Sequence, residues 1–167
     1  WNVAAGGSAA PNLADLAMYY WRRDLRGTLE NNVPSYIRNQ TIVPIAGATS
    51  EDREIFFNPA NDPADWQRLV NFMITFGAGG TIPFDNTVPG STQADRLLEL
   101  RQGTRQWPAA TSGNGTTIDD TWHAAVNSRG DFLSANNPQE LVDALTSVLD
   151  SISNRNGVGG AAAAPST

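Results

Sequence analysis

Residues 69–80, LVNFMITFGAGG, restrict the fold of this chain more than any other stretch. Val70, Phe72, Met73, Ile74 and Phe76 are too continuously apolar for a strand with one face in water, and Gly77, Gly79 and Gly80 close the run. Such a run marks a central parallel strand covered by helices on both faces. Parallel strands cannot be joined by a tight turn, so helices are expected before and after it.

Helix signals are found on both sides. In PNLADLAMYYWRRDLRG, Asn12 is a cap with Asp15 at the third helical position, and Leu13, Leu16, Ala17, Tyr20 and Asp24 recur at helical spacing until Gly27 stops them. This helix is expected to bury mainly large side chains. In NDPADWQRLV, Asp62, Pro63 and Asp65 predict a short helix by the same logic. Thr117 with Asp120 predicts a helix through TIDDTWHAAVNSRG to Gly130, then a short strand at DFLSA. Asn137, Pro138 and Glu140 open the clearest helix, with Leu141, Leu145, Val148, Leu149 and Ile152 as its core stripe.

Two long stretches separate these elements. Residues 28–61 contain short apolar runs around Ile42 and Ile55, readable as an irregular hairpin or a packed loop. Residues 82–116 carry one helical insert near TQADRLLELRQG. Helix, strand, helix, strand, helix is an α/β order and calls for a mostly parallel sheet. Two core strands cannot bury three helices well, so either strands come from upstream or the stretch around Ile42 and Ile55 supplies an edge. Trp1-Asn2 reads as the middle of a protein, whereas NRNGVGGAAAAPST reads as a linker or a worn C-terminus. At 167 residues, the chain is expected to form one core.

The net charge of -6 argues against nucleic-acid binding, which needs clustered cations. All eleven basic residues are arginine. Arg22, Arg23 and Arg26 form the one local cluster; they suit the last turn of the first helix, or an anion or partner patch. Zero cysteines exclude disulfides, thiolate metal sites and cysteine nucleophiles. No apolar run approaches the roughly 18 residues of a membrane span.

Candidate chemistry is sparse. Asp119 and Asp120, like Asp62 and Asp65, are read as helix-capping carboxylates, with metal ligation as the alternative. Asp85, Asn86 and Thr87 form an oxygen-rich turn without the spacing of an EF-hand loop. His123, the sole histidine, is expected to bond to loop backbone while Trp122 packs against the sheet or the long excursion. Ligand contact and catalysis are its other readings, but neither G-x-S-x-G nor H-E-x-x-H occurs. Tyr19, Tyr20 and Trp21 cannot share one helix face, because adjacent residues are about 100° apart; packing or an exposed interaction surface are both open. GAGG lacks the helix of a dinucleotide fingerprint and is read as a strand end. Asn39-Gln40-Thr41 and Asn114-Gly115-Thr116 match the glycosylation sequon by chance. No catalytic, cofactor or metal residue is assigned.

LADLAMYYWRRDLRGTLENNVP, DPADWQRLVNFMITFGAGG, QWP and TIDDTWHAAVNSRGDFLSANNPQELVDAL together resemble the von Willebrand factor A-like region of the PilY/PilC proteins of type IV pili. The resemblance covers most of residues 12–153. It implies a partial A-like, Rossmann-like three-layer α/β fold with long loop insertions over residues 1–155, and a Gly/Ala-rich tail over 156–167. It further implies a chain that starts just after the Asp closing a metal-ion-dependent adhesion site, so that Mg or Ca belongs to the complete domain and not to these residues. The implied role is non-enzymatic, in pilus biogenesis and adhesion at a pilus tip, cell surface or outside the cell. Implied partners are pilin or minor pilin subunits, the upstream half of the same domain and a host surface ligand. A non-adhesive scaffold or filament subunit is the alternative, and a hydrolase the remoter one.

Overall fold

The computed structural model describes residues 11–37, 58–59, 61–85, 88–102 and 104–160. Trp1-Asn2, the runs around Ile42 and Ile55, the Asn39 sequon, Asn86, Thr87 and residues 161–167 lie outside the described residues.

The first helix, α1 (Leu13–Trp21), starts as expected. The Asn12 side chain accepts from Asp15 N, and the Asp15 carboxylate accepts from Asn12 N, so two amides of the first turn are satisfied reciprocally. Its end differs from expectation, because Arg22 is the C-cap and Gly27 lies beyond the helix. Arg22, Arg23 and Arg26 therefore follow the last turn instead of forming it. The buried face also differs: Ala14, Ala17 and Trp21 are covered, while Leu13, Leu16, Tyr19 and Tyr20 are exposed. The reason is close approach. Ala14 and Ala17 pack on Ala124 of another helix, and only small side chains let two backbones come that near.

Two short strands, β1 (Tyr36–Ile37) and β2 (Asn61–Asp62), pair antiparallel, with Tyr36 opposite Asp62. The short helix expected from Asp62 is replaced by an irregular connector over residues 63–72. Asp62 points its carboxylate at the Trp21 indole and at two arginines, which leaves nothing to cap a helix. The connector is held extended by Val33 N donating to Asp65 O at 2.8 Å and Leu25 N to Gln67 O at 2.8 Å.

The apolar run yields β3 (Met73–Phe76), which pairs parallel with β4 (Phe132–Ala135), Met73 opposite Phe132 and Phe76 opposite Ala135. Gly77 ends β3 at φ +64, a conformation cheap for glycine, and its N–H still donates to Ala135 O at 2.8 Å. β3 is shorter and more open than a fully covered central strand: only Thr75 is buried and Phe76 is 55% exposed. Among the described residues its one partner is β4.

Between the paired strands lie α2 (Gln93–Gln102) and α3 (Thr116–Asn127). Thr92 and Asp95 exchange hydrogen bonds at the start of α2. α3 begins at Gly115 without a side-chain cap, so Thr117 does not take the expected role. α3 packs on α1 and on both strands of the parallel pair. The core between them joins Ile82, Leu100, Trp107, Trp122, Val126 and Phe132.

Helix α4 (Pro138–Gly160) opens as expected, with Glu140 N donating to Asn137 Oδ1 at 3.0 Å and the Glu140 carboxylate accepting from Asn136 and Asn137. It packs on β4 through a face that buries Ala144, while Leu145, Leu149 and Ile152 of the expected core stripe are exposed. The helix runs on through residues 156–160, into the stretch expected to be a tail. The result is a mixed α/β fold of small open sheets and several helices, consistent with a partial von Willebrand factor A-like domain carrying loop insertions.

Candidate functional site

The ends of β3 and β4, the GAGG turn and the start of α3 enclose a cavity of about 320 Å³. It is lined by Gly79 and Gly80 backbone, the Asp85, Asp119, Ser134 and Asn136 side chains, and a wall of Ile82, Phe84, Trp122 and Phe132. This is the carboxyl edge of the parallel strands, where open α/β sheets hold their ligands.

Asp119 and Asp120, adjacent on α3, do different work from the capping expected of them. Neither caps its own helix. Asp119 Oδ2 accepts from Thr81 N at 2.9 Å and from the Thr81 hydroxyl, while Oδ1 accepts from Ile82 N at 3.0 Å. Asp120 Oδ2 and Oδ1 accept from Leu13 N at 3.0 Å and Ala14 N at 3.3 Å, the open amides of the first turn of α1. One carboxylate thus fastens the turn after β3 and the next fastens α1, each substituting for a missing backbone partner. Burial pushes the Asp120 carboxyl above its ordinary range, against the opposing pull of the Leu13 and Ala14 amides.

A divalent cation at this edge needs several free carboxylate or hydroxyl oxygens converging on one point. The oxygens of Asp119 and Asp120 are already engaged by backbone N–H groups of two separate segments. Among the described residues, no group of three or more His, Cys, Asp or Glu gathers in a way that could hold a metal. Among the described residues the donor set does not fit a resident metal. Asp85 lines the cavity but contributes its backbone carbonyl to Arg96.

His123 departs from expectation. It is 2% exposed, neither ring nitrogen has a hydrogen-bond partner, and the ring stacks on Trp107 with centroids 4.5 Å apart. Burial lowers its pKa to about 3, so the imidazole is neutral and its environment is that of an aromatic core residue. Trp122 packs as expected, edge-on to Phe84 at 5.0 Å and to Trp107 at 5.2 Å.

A second polar centre went unnoticed in the sequence. Asp62, 1% exposed, accepts from Trp21 Nε1 at 3.0 Å, Arg68 Nε at 2.8 Å and Arg155 Nη1 at 2.9 Å. Arg155 also reaches the carbonyl of Arg129, whose guanidinium lies 3.9 Å from the centroid of the Trp21 ring. One carboxylate therefore joins α1, the connector and α4. The pairing spans 93 residues between Asp62 and Arg155, and neither residue type nor spacing announces it. Asp65, grouped with Asp62 by spacing, is separated from this network and holds Val33 through its carbonyl.

Comparison with known proteins adds to this geometry. The type IV pilus biogenesis factor PilY1 of Pseudomonas aeruginosa strain UCBPP-PA14 is 38% identical over 155 residues, which is 89% of this chain. The PilY1 of strain PAK is 37% identical over 149 residues. Over most of its length the chain is homologous to one part of PilY1. It spans 12% of the length of these PilY1 relatives. No protein-family model matches the chain, and no solved structure matches it. Among the described residues, no helix is long and apolar enough to cross a membrane.

Proposed function

We propose that the chain is the C-terminal part of a von Willebrand factor A-like domain that serves type IV pilus biogenesis and adhesion at a pilus tip or cell surface, without covalent chemistry. The observation that carries this reading is the 38% identity to a PilY1 over 89% of the chain. In this reading residues 1–155 form the partial domain and 156–167 lead onward. The upstream half of the domain supplies strands to the parallel pair, whose β3 carries an exposed Phe76. Pilin or minor pilin subunits are the first partners, and a host surface ligand is the further one. Any Mg or Ca belongs to the completed domain, because Asp119 and Asp120 are spent on Thr81, Ile82, Leu13 and Ala14.

The test is genetic. Deleting the encoding gene from its own bacterium should reduce surface pili and pilus-driven movement, and the intact gene should restore both. A copy with Gly80→Ala should restore less, since a Cβ at that position would sit 2.1 Å from Asp119 Oδ1. Unchanged piliation and movement in the deletion strain would sink the reading. Adhesion of piliated cells that is lost on chelation would favour the adhesive role over a scaffold; chelation-independent adhesion would favour the scaffold.

A further inference from the structure

Part of the apolar stripe expected in the core of α4, joined by Val142, faces outward, while Leu141 and Val148 of that stripe are half-buried. Val142, Leu145, Leu149 and Ile152 stand between 38% and 66% exposed, at intervals of three and four residues, the spacing of a helix-pairing seam. Asp143, which accepts from Gln139 Nε2 at 2.9 Å, and Asp150 lie together on one side of it, about 80–100° around the helix from Val142. A second apolar face lies on α1, where Leu13, Leu16 and Tyr20 are each more than 40% exposed. It leads into Arg22, Arg23 and Arg26, three exposed cations against one aspartate within residues 22–26. Among the described residues none of these three guanidiniums is in an ion pair, and Arg23 lies 4.6 Å over the Tyr19 ring. α1 packs on α3 and α4 packs on β4, so neither face is consumed by the other.

We propose that the α1 face of one copy docks on the α4 stripe of a second copy, with Arg22, Arg23 and Arg26 meeting Asp143 and Asp150. The two surfaces complement each other in charge while each offers apolar side chains to bury. An anionic bilayer is the poorer occupant. Three cations gain only about 1 kcal/mol each at such a surface, and the chain as a whole carries a net charge of -6. The contact is heterologous, so each docked copy still presents one free face of each kind and association continues beyond a dimer. It is also small, well below the roughly 20–30 residues a side of a stable interface, which makes it weak and salt-sensitive.

Sedimentation velocity of the full-length protein that carries these residues, over a concentration series, tests this. Average mass should rise with concentration at about 0.02 M salt and return to the monomer value at about 0.5 M, where screening shortens to a few Å. R22E/R23E/R26E and D143R/D150R should each sediment as monomers, and an equimolar mixture of the two should regain association, because each restores the partner of the other. Leu149→Gln should weaken association at least tenfold without moving the melting temperature, since that side chain is already 66% exposed. A wild-type chain that stays monomeric throughout overturns the proposal. So does association indifferent to the charge swaps, or a mixture of two folded variants that remains monomeric.

Discussion

A histidine held neutral inside an aromatic cluster costs stability in acid. The unfolded chain protonates His123 near its ordinary pKa of 6.5, while the folded chain resists until about 3, so the unfolded state binds more protons between those values. Stability contributed by the neutral ring is full above pH 6.5 and is lost progressively as pH falls toward 3. The slope is about 1.4 kcal/mol per pH unit, so about 2 kcal/mol should be lost between pH 6.5 and pH 5. Asp120 acts in the opposite sense. Its raised pKa favours the folded state as pH falls through the folded value toward 3.8. His123→Phe keeps a ring stacked on Trp107 and removes two unpartnered nitrogens, so it should raise stability at pH 7 by about 1–2 kcal/mol and flatten the acid slope. Urea titrations at pH 7 and pH 5 measure both effects; an unchanged slope in the variant would show that the acid sensitivity lies elsewhere. The lone histidine beside Trp122 was visible in the sequence. Its silence toward loop backbone was not, because the Trp107 that covers it is 16 positions away on the long excursion.

At the scale of elements, helix starts were legible and helix faces were not. The caps at Asn12 with Asp15 and at Asn137 with Glu140 depend on side chains three residues apart, so local sequence is enough to specify them. Which face of a helix is buried depends on what arrives from elsewhere. The Leu13, Leu16 and Tyr20 periodicity of α1 is real, yet Ala14 and Ala17 are buried because α3 offers Ala124 and a carboxylate to the same side. The helix expected at Asp62 failed for a related reason, since that carboxylate is drawn into contacts with Trp21 and Arg155, distant in sequence. α1 is therefore capped twice, by its own Asn12 and by Asp120 of α3. Asn12→Ala should cost about 1 kcal/mol. Asp120→Ala, which leaves two first-turn amides without their carboxylate, should cost about 2–3 kcal/mol. Because both act on one turn, the double variant should depart from the sum of the singles, and amide exchange should show α1 opening first. Strict additivity in chemical denaturation would mean the two caps act on α1 independently.

At the scale of the whole molecule, a single carboxylate ties together elements far apart in sequence. The parallel pair, read from residues 70–76 and DFLSA, came out with the expected direction, because a mostly apolar run closed by glycines leaves little else for it to form. Its incomplete covering followed from partners that no periodicity could supply. What binds the antiparallel pair, α1, the connector and the far end of α4 into one body is Asp62. Its two arginines are themselves largely buried, at 6% and 13% side-chain exposure, so removing the carboxylate leaves two poorly solvated cations facing each other. Asp62→Ala should cost about 3–5 kcal/mol, with little dependence on salt because the pairs are shielded from it. Asp62→Asn retains an oxygen for Trp21 Nε1 but not the charge, so it should recover a minor part of that loss. The damage should also be local. Amides of residues 148–155 should lose exchange protection, while the first turns of α4, fixed by Asn137 and Glu140, keep theirs. Uniform loss of protection along α4 would mean that Asp62 supports the fold generally; loss confined to its last turns would identify the Asp62–Arg155 pair as the tie between that helix and the antiparallel pair.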